Sequence, residues 1–168
     1  MSIWEKLGFG GYRGFSREAE QLLQQAVELA GSFGCSQADT GHLLLAMLQQ
    51  EQGAAARFLN SRHISEQAVR RQLAENRRGP AQHLDRHAMA PDLRRTMDYA
   101  LIGAQNAHVS RAEPEHLLCA MLEDDGCTAG LLLLAAPQML GMELSGLPTL
   151  AFVNGSIIRY DAERIANF

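Results

Sequence analysis

The chain has 168 residues, 46 % of them apolar and 20 % charged, which is enough for one globular domain with a core and excludes a disordered chain. Its formal charge of −4 gives no electrostatic drive toward nucleic acid. The longest uninterrupted apolar run, Leu131 to Ala136, is far too short for a membrane span, so neither nucleic acid nor membrane is expected as a partner.

Residues 1–14 are glycine-rich and read as a flexible N-terminal arm; nothing between Met1 and Phe15 has the apolar run of a signal peptide. Ser16 is a good cap for a first helix, with Glu18 and Glu20 at its positive end. Leu22, Leu23, Ala26, Val27 and Ala30 share one face of that helix, and Gly31 and Gly34 close it. Thr40 reads as the cap of a second helix running to Gln50. Ala54 to Leu59 makes a third, and Ser65 caps a fourth with Val69 and Leu73 inward. Residues 76–88 read as a polar linker.

Pro91 is a good first helical residue, and Leu93, Met97, Ala100, Leu101 and Ala104 form the inward face of the helix that follows. Pro114 starts the next helix, Ala129 to Leu134 another, and Pro137 breaks the pattern, so the last helix of this half is short or distorted. The tail, residues 149–168, carries two β-rich runs around Asn154-Gly155, a dipeptide suited to a type I′ turn, followed by Asp161 as the cap of a last helical turn.

The two helical stretches are copies. Thr40-Gly41-His42-Leu43-Leu44-Leu45-Ala46-Met47-Leu48 returns as Pro114-Glu115-His116-Leu117-Leu118-Cys119-Ala120-Met121-Leu122, an offset of 116 − 42 = 74. The same shift takes Ala26 to Ala100, Ala30 to Ala104, Ser36 to Ser110, Ala38 to Ala112 and Ala55 to Ala129. A gapless match of this length is a duplicated structural unit, and a duplicated helical unit offers related surfaces for binding rather than one catalytic centre.

These motifs, with the entry Gly14-Phe15-Ser16-Arg17-Glu18-Ala19 and the small-residue stretch Gly53-Ala54-Ala55-Ala56, resemble the paired repeats of the Clp N-terminal domain family over about residues 14–136. The resemblance implies an all-α fold of two pseudo-symmetric four-helix repeats, 15–75 and 89–148, within a domain spanning 15–148. It implies recognition of protein substrates or adaptors for a Clp-type AAA+ unfoldase or protease, present in the same polypeptide or in a partner. It also implies carboxylates at the motif positions before each histidine that grip arginine-phosphorylated clients. Gly41 cannot supply one, while Glu115 can. No phosphate-binding glycine loop occurs, and the only lysine is Lys6, so this chain by itself is no ATPase.

The candidate binding residues are therefore Thr40, Glu113 and Glu115, with Met139 and Met142 beside Pro137 as an adaptable apolar patch; the other methionines suit core filling. His42 and His116 read as structural, tying each helix start to nearby backbone. His83, Asp85 and His87 lack zinc-like spacing, so no metal and no cofactor are expected. Arg70, Arg71, Arg77 and Arg78 form a basic stripe that reads as a solvated face. Cys35, Cys119 and Cys127 are an odd number with no recognisable spacing, as expected of free thiols in a reducing cytoplasm. Two other readings stay open: an accessory subunit that docks on the Clp assembly through its tail, and a small thiol enzyme.

Overall fold

Ser16 sits in extended conformation and its hydroxyl accepts the Ala19 N–H at 3.2 Å, which starts α1 (Arg17–Ser32). In this computed structural model, which describes residues 11–76, 78–124, 126–132, 152–153, 156–157 and 165–167, α1 is followed by α2 (Thr40–Leu48), α3 (Ala54–Ser61), α4 (Glu66–Glu75), α5 (Pro91–Asn106) and α6 (Pro114–Glu123). Residues 128–132 are helical as well. In the tail, β1 (Phe152–Val153) pairs antiparallel with β2 (Ser156–Ile157). The Asn154-Gly155 turn and the Asp161 cap lie outside the described residues, as do Pro137 and the last helix of the second half.

The architecture is all-α, as the spacing and the resemblance imply. Every residue of α2 is buried, so it is the central rod of the first half and packs against α1, α3, α4, α5 and α6. Its cap is Asp39 and not Thr40: the Asp39 carboxylate accepts the His42 N–H at 3.2 Å, while Thr40 is already the first helical residue. Ser65 caps α4 through the Ala68 N–H at 3.1 Å. Leu22, Leu43, Leu44, Leu45, Phe58, Leu93, Leu117 and Leu118 are fully buried in one core shared by both halves.

The halves interlock by exchange. The Ser16 N–H donates to the Ala112 carbonyl at 2.9 Å, and the Ala112 N–H donates to the Gly14 carbonyl at 2.8 Å. One offset of 74 residues later the Ala90 N–H donates to the Ala38 carbonyl at 2.7 Å, and the Ala38 N–H to the Ala88 carbonyl at 2.8 Å. Each half thus lends the other one short parallel bridge, Phe15 to Ala112 and Met89 to Ala38. Tyr12 and Arg86 are themselves equivalent positions (86 − 12 = 74), and they meet. The guanidinium lies 4.9 Å from the Tyr12 ring centroid, and the Tyr12 hydroxyl donates to the Arg86 carbonyl at 2.7 Å. Equivalent residues can touch each other in this way only near a twofold axis.

One expectation is corrected here. Tyr12 does not belong to a flexible arm: it is buried, because its ring and hydroxyl both engage Arg86. The linker packs on the first half. The Gln82 N–H donates to the Gly31 carbonyl at 2.9 Å, and its side chain donates to the Cys35 carbonyl at 2.9 Å. Gly34 turns the chain at φ +70°, and a Cβ there would collide with the carbonyls of Gly79 and Pro80.

Candidate functional site

Thr40 stands at the seam between the halves and is fully buried, so it is not a surface contact as its motif position suggested. Its hydroxyl donates to Asp92 Oδ2 at 2.8 Å and accepts the Ala129 N–H at 2.8 Å. Asp92 also accepts the Thr128 N–H at 3.1 Å. Burial by itself would raise the Asp92 carboxyl, but the hydrogen bonds from Thr128 and Thr40 outweigh it and hold it below the usual carboxylate range. Asp92 and Thr128 escaped the sequence reading, since an acid in a first helical turn is ordinary.

Gly41, beside Thr40, is sealed. A Cβ there would stand 2.9 Å from a methyl of Leu132 and 3.1 Å from one of Leu73. The start of α2 therefore lies under apolar side chains from both halves, which a side chain at this position would have to displace.

The equivalent start of α6 is different. Glu113 is its cap residue, Glu115 lies in its first turn, and both are half-buried. Among the described residues neither carboxylate is in an ion pair. The α6 dipole favours negative charge at this end by ~0.3–1 kcal/mol per group.

The two histidines do the same work on backbone. Nδ1 of His42 accepts the Asp39 N–H at 3.2 Å, and Nδ1 of His116 accepts the Glu113 N–H at 3.1 Å. Each closes its helix start much as a glutamine does at the third position of a capping box. His42 is 2 % exposed and His116 9 %. Burial lowers the pKa of His116, partly offset by Glu115 and Glu113, so its ring is neutral at neutral pH.

The other candidates scatter. Met139 and Met142 lie outside the described residues. On α4, Arg70 pairs with Glu66 at 3.0 Å on the exposed surface. In the linker the Asp85 carboxylate accepts the His87 N–H at 2.8 Å, a local turn. Among the described residues no three His, Cys, Asp or Glu side chains gather to hold a metal ion. No helix there is long and apolar enough to cross a membrane. Burial is the largest influence on Cys35 and Cys127 and pushes both thiols up.

Compared with known proteins, residues 14–136 match the model of the Clp repeat (R) N-terminal domain family. Three solved structures share the fold. The Hsp104 N-terminal domain from Candida albicans is 19 % identical, with a TM-score of 0.59, over 92 % of this chain and 99 % of that one. The N-terminal domain of the caseinolytic protease associated chaperone ClpD from Arabidopsis thaliana is 20 % identical, with a TM-score of 0.55, over 77 % and 89 %. A chain from a malarial protein secretion system is 16 % identical, with a TM-score of 0.57, over 76 % and 85 %.

Proposed function

Starting from a chain that belongs to the Clp repeat N-terminal domain family, a protein-binding module of Clp-type unfoldases, we propose that it recognises protein substrates or adaptors for a Clp-type AAA+ ring and performs no chemistry of its own. The observation that carries this reading is the inequality of two equivalent helix starts. At α2 the position before the motif histidine is Gly41, closed over by Leu73 and Leu132. At α6 it is Glu115, half-buried and outside any ion pair among the described residues. Binding therefore falls to the second half.

A carboxylate on a helix start meets a guanidinium through two parallel N–H···O bonds, so the matching partner is an arginine-bearing segment. Docking at one such point is weak by itself, which suits a module that must pass its client on. Cys35 and Cys127 fit this reading: nucleophilic attack needs a thiolate, and burial pushes both thiols up, toward the protonated form.

Calorimetric titration of the whole chain with an arginine-rich peptide tests the reading. Glu115→Gln should weaken binding roughly tenfold, the loss of one charge-assisted contact. Glu66→Gln, which changes an exposed carboxylate already paired with Arg70, should leave it unchanged. Equal affinities for wild type and Glu115→Gln would remove Glu115 from the site.

A further inference from the structure

At the offset of 74 residues the second half has lost bulk and kept backbone at the end of its first helix. In the first half the side chains of Leu29 and Phe33 pack against the core at the end of α1, and the Phe33 ring lies 6.0 Å from the His42 ring, tilted by 49°. Their equivalents are Gly103 and Ala107 (29 + 74 and 33 + 74), and the equivalent of His42 is His116. The main chain is unchanged. The Phe33 N–H donates to the Leu29 carbonyl at 3.0 Å, and the Ala107 N–H donates to the Gly103 carbonyl at 3.0 Å.

What remains over His116 is a bare notch. Among the described residues a Cβ on Gly103 would meet, outside its own helix, only His116 Cδ2 at 3.8 Å, and Ala107 is exposed. Gly31 and Gly34 lie under Gln82 and Gly79, while their equivalents Gln105 and His108 are exposed. Ile102, next to Gly103 in the chain, is 50 % exposed, and Glu113 and Glu115 stand close enough to act on the His116 ring.

We propose that this notch receives an aromatic side chain of a bound protein segment, seated over His116 as Phe33 is seated over His42, with a basic neighbour meeting Glu113 and Glu115. The first half supplies the template for the size and chemistry of the guest. The two acids outside any ion pair supply the charge complementarity for the residue beside it. A neutral imidazole presents a ring face on which an aromatic side chain stacks without a charge to desolvate, and an aromatic anchor in a pocket is the common centre of a protein–protein contact. The proposal rests on the reading of this face as the client surface and adds what the client must carry: an aromatic residue next to arginine or lysine.

The test is a carbon–proton NMR titration of the whole chain with the capped dipeptides acetyl-Phe-Arg-amide and acetyl-Leu-Arg-amide. The phenylalanine dipeptide should move the His116 Cδ2–H signal saturably and bind several-fold tighter than the leucine one, with the His42 signal still. Ala107→Phe, which rebuilds the first half's arrangement, should abolish the shift. Gly103→Leu should do the same by filling the notch from the neighbouring turn, and so covers the case in which Ala107→Phe does not fold. A still His116 signal, or a shift that survives in either folded variant, overturns the proposal. If both dipeptides move the Glu115 carboxyl signal equally and His116 stays still, the aromatic seat falls and the acidic reading stands. If His116 responds and Glu115 does not, the aromatic seat stands and the acidic reading falls.

Discussion

At the end of α1 the chain turns through Gly34 at φ +70°, beneath the carbonyls of Gly79 and Pro80; at the end of α5 it makes the same turn through His108 at φ +58°, in the open. The bonds that hold the two turns correspond, Cys35 N–H to the Ala30 carbonyl at 2.9 Å and Val109 N–H to the Ala104 carbonyl at 3.0 Å. The same contrast recurs at the two helix starts, where Gly41 is sealed by leucines and Glu115 is not. Backbone hydrogen bonds depend on geometry and survive duplication, whereas side chains diverge according to what lies above them. One half has become the packed partner, closed by the linker and by Leu132, and the other has kept its corner uncovered.

The sharpest break of that comparison is at the seam. Thr40 joins Asp92 and Ala129, whereas its equivalent, Pro114, has neither hydroxyl nor N–H to offer. Thr40→Val keeps the shape and strands the Ala129 N–H and one partner of a half-buried carboxylate. It should cost about 2–3 kcal/mol in urea unfolding, in the range for a buried bond to a charged group. A loss well under about 1 kcal/mol would mean that water replaces the hydroxyl and that the seam is not pinned there.

The turns come next. Gly34→Ala adds a Cβ where φ is positive and two carbonyls already stand, so it should cost more than about 1–2 kcal/mol, the price of the left-handed conformation alone. His108→Gly relieves the same backbone penalty in the open and should stabilise by about 0.5–1 kcal/mol. Thermal unfolding of the two variants should therefore shift in opposite directions. Shifts of the same sign would show that the two turns are not equivalent.

How much of this was legible follows from what each feature depends on. The pairs α1 with α5 and α2 with α6 were visible because both carry their inward residues at helical spacing and at one offset, from Ala26 and Ala100 to His42 and His116. The exchanged bridges of Phe15 and Met89 were not, because pairing between distant extended residues leaves no periodicity. Asp92 was invisible for another reason: an acid in a first helical turn is ordinary, and only the fold brings Thr40 and Thr128 to it. The notch did leave a signal. Leu29 and Phe33, one turn apart at the end of α1, both become small residues, Gly103 and Ala107, and that paired loss marks a place left open.

The smallest expected effect concerns how tightly that open place is tied to the helix beneath it. His116 accepts the Glu113 N–H through Nδ1, which only a neutral ring with its proton on Nε2 can do. Because burial depresses its folded-state pKa, with Glu115 and Glu113 opposing, the unfolded chain takes up the proton first as the pH falls. The contribution of His116 is then complete well above the ordinary histidine value of about 6.5 and is lost as the pH falls from there through the lower folded-state value. His116→Gln keeps an acceptor for the Glu113 N–H, the usual partner in a capping box, and has nothing to titrate. Urea midpoints measured across that range should fall more steeply for wild type than for His116→Gln, with the two curves converging at the acid end. Parallel curves would assign the acid sensitivity to other groups and leave the His116 ring free to be charged while its corner stays folded, which would also remove the neutral face on which an aromatic guest is meant to rest.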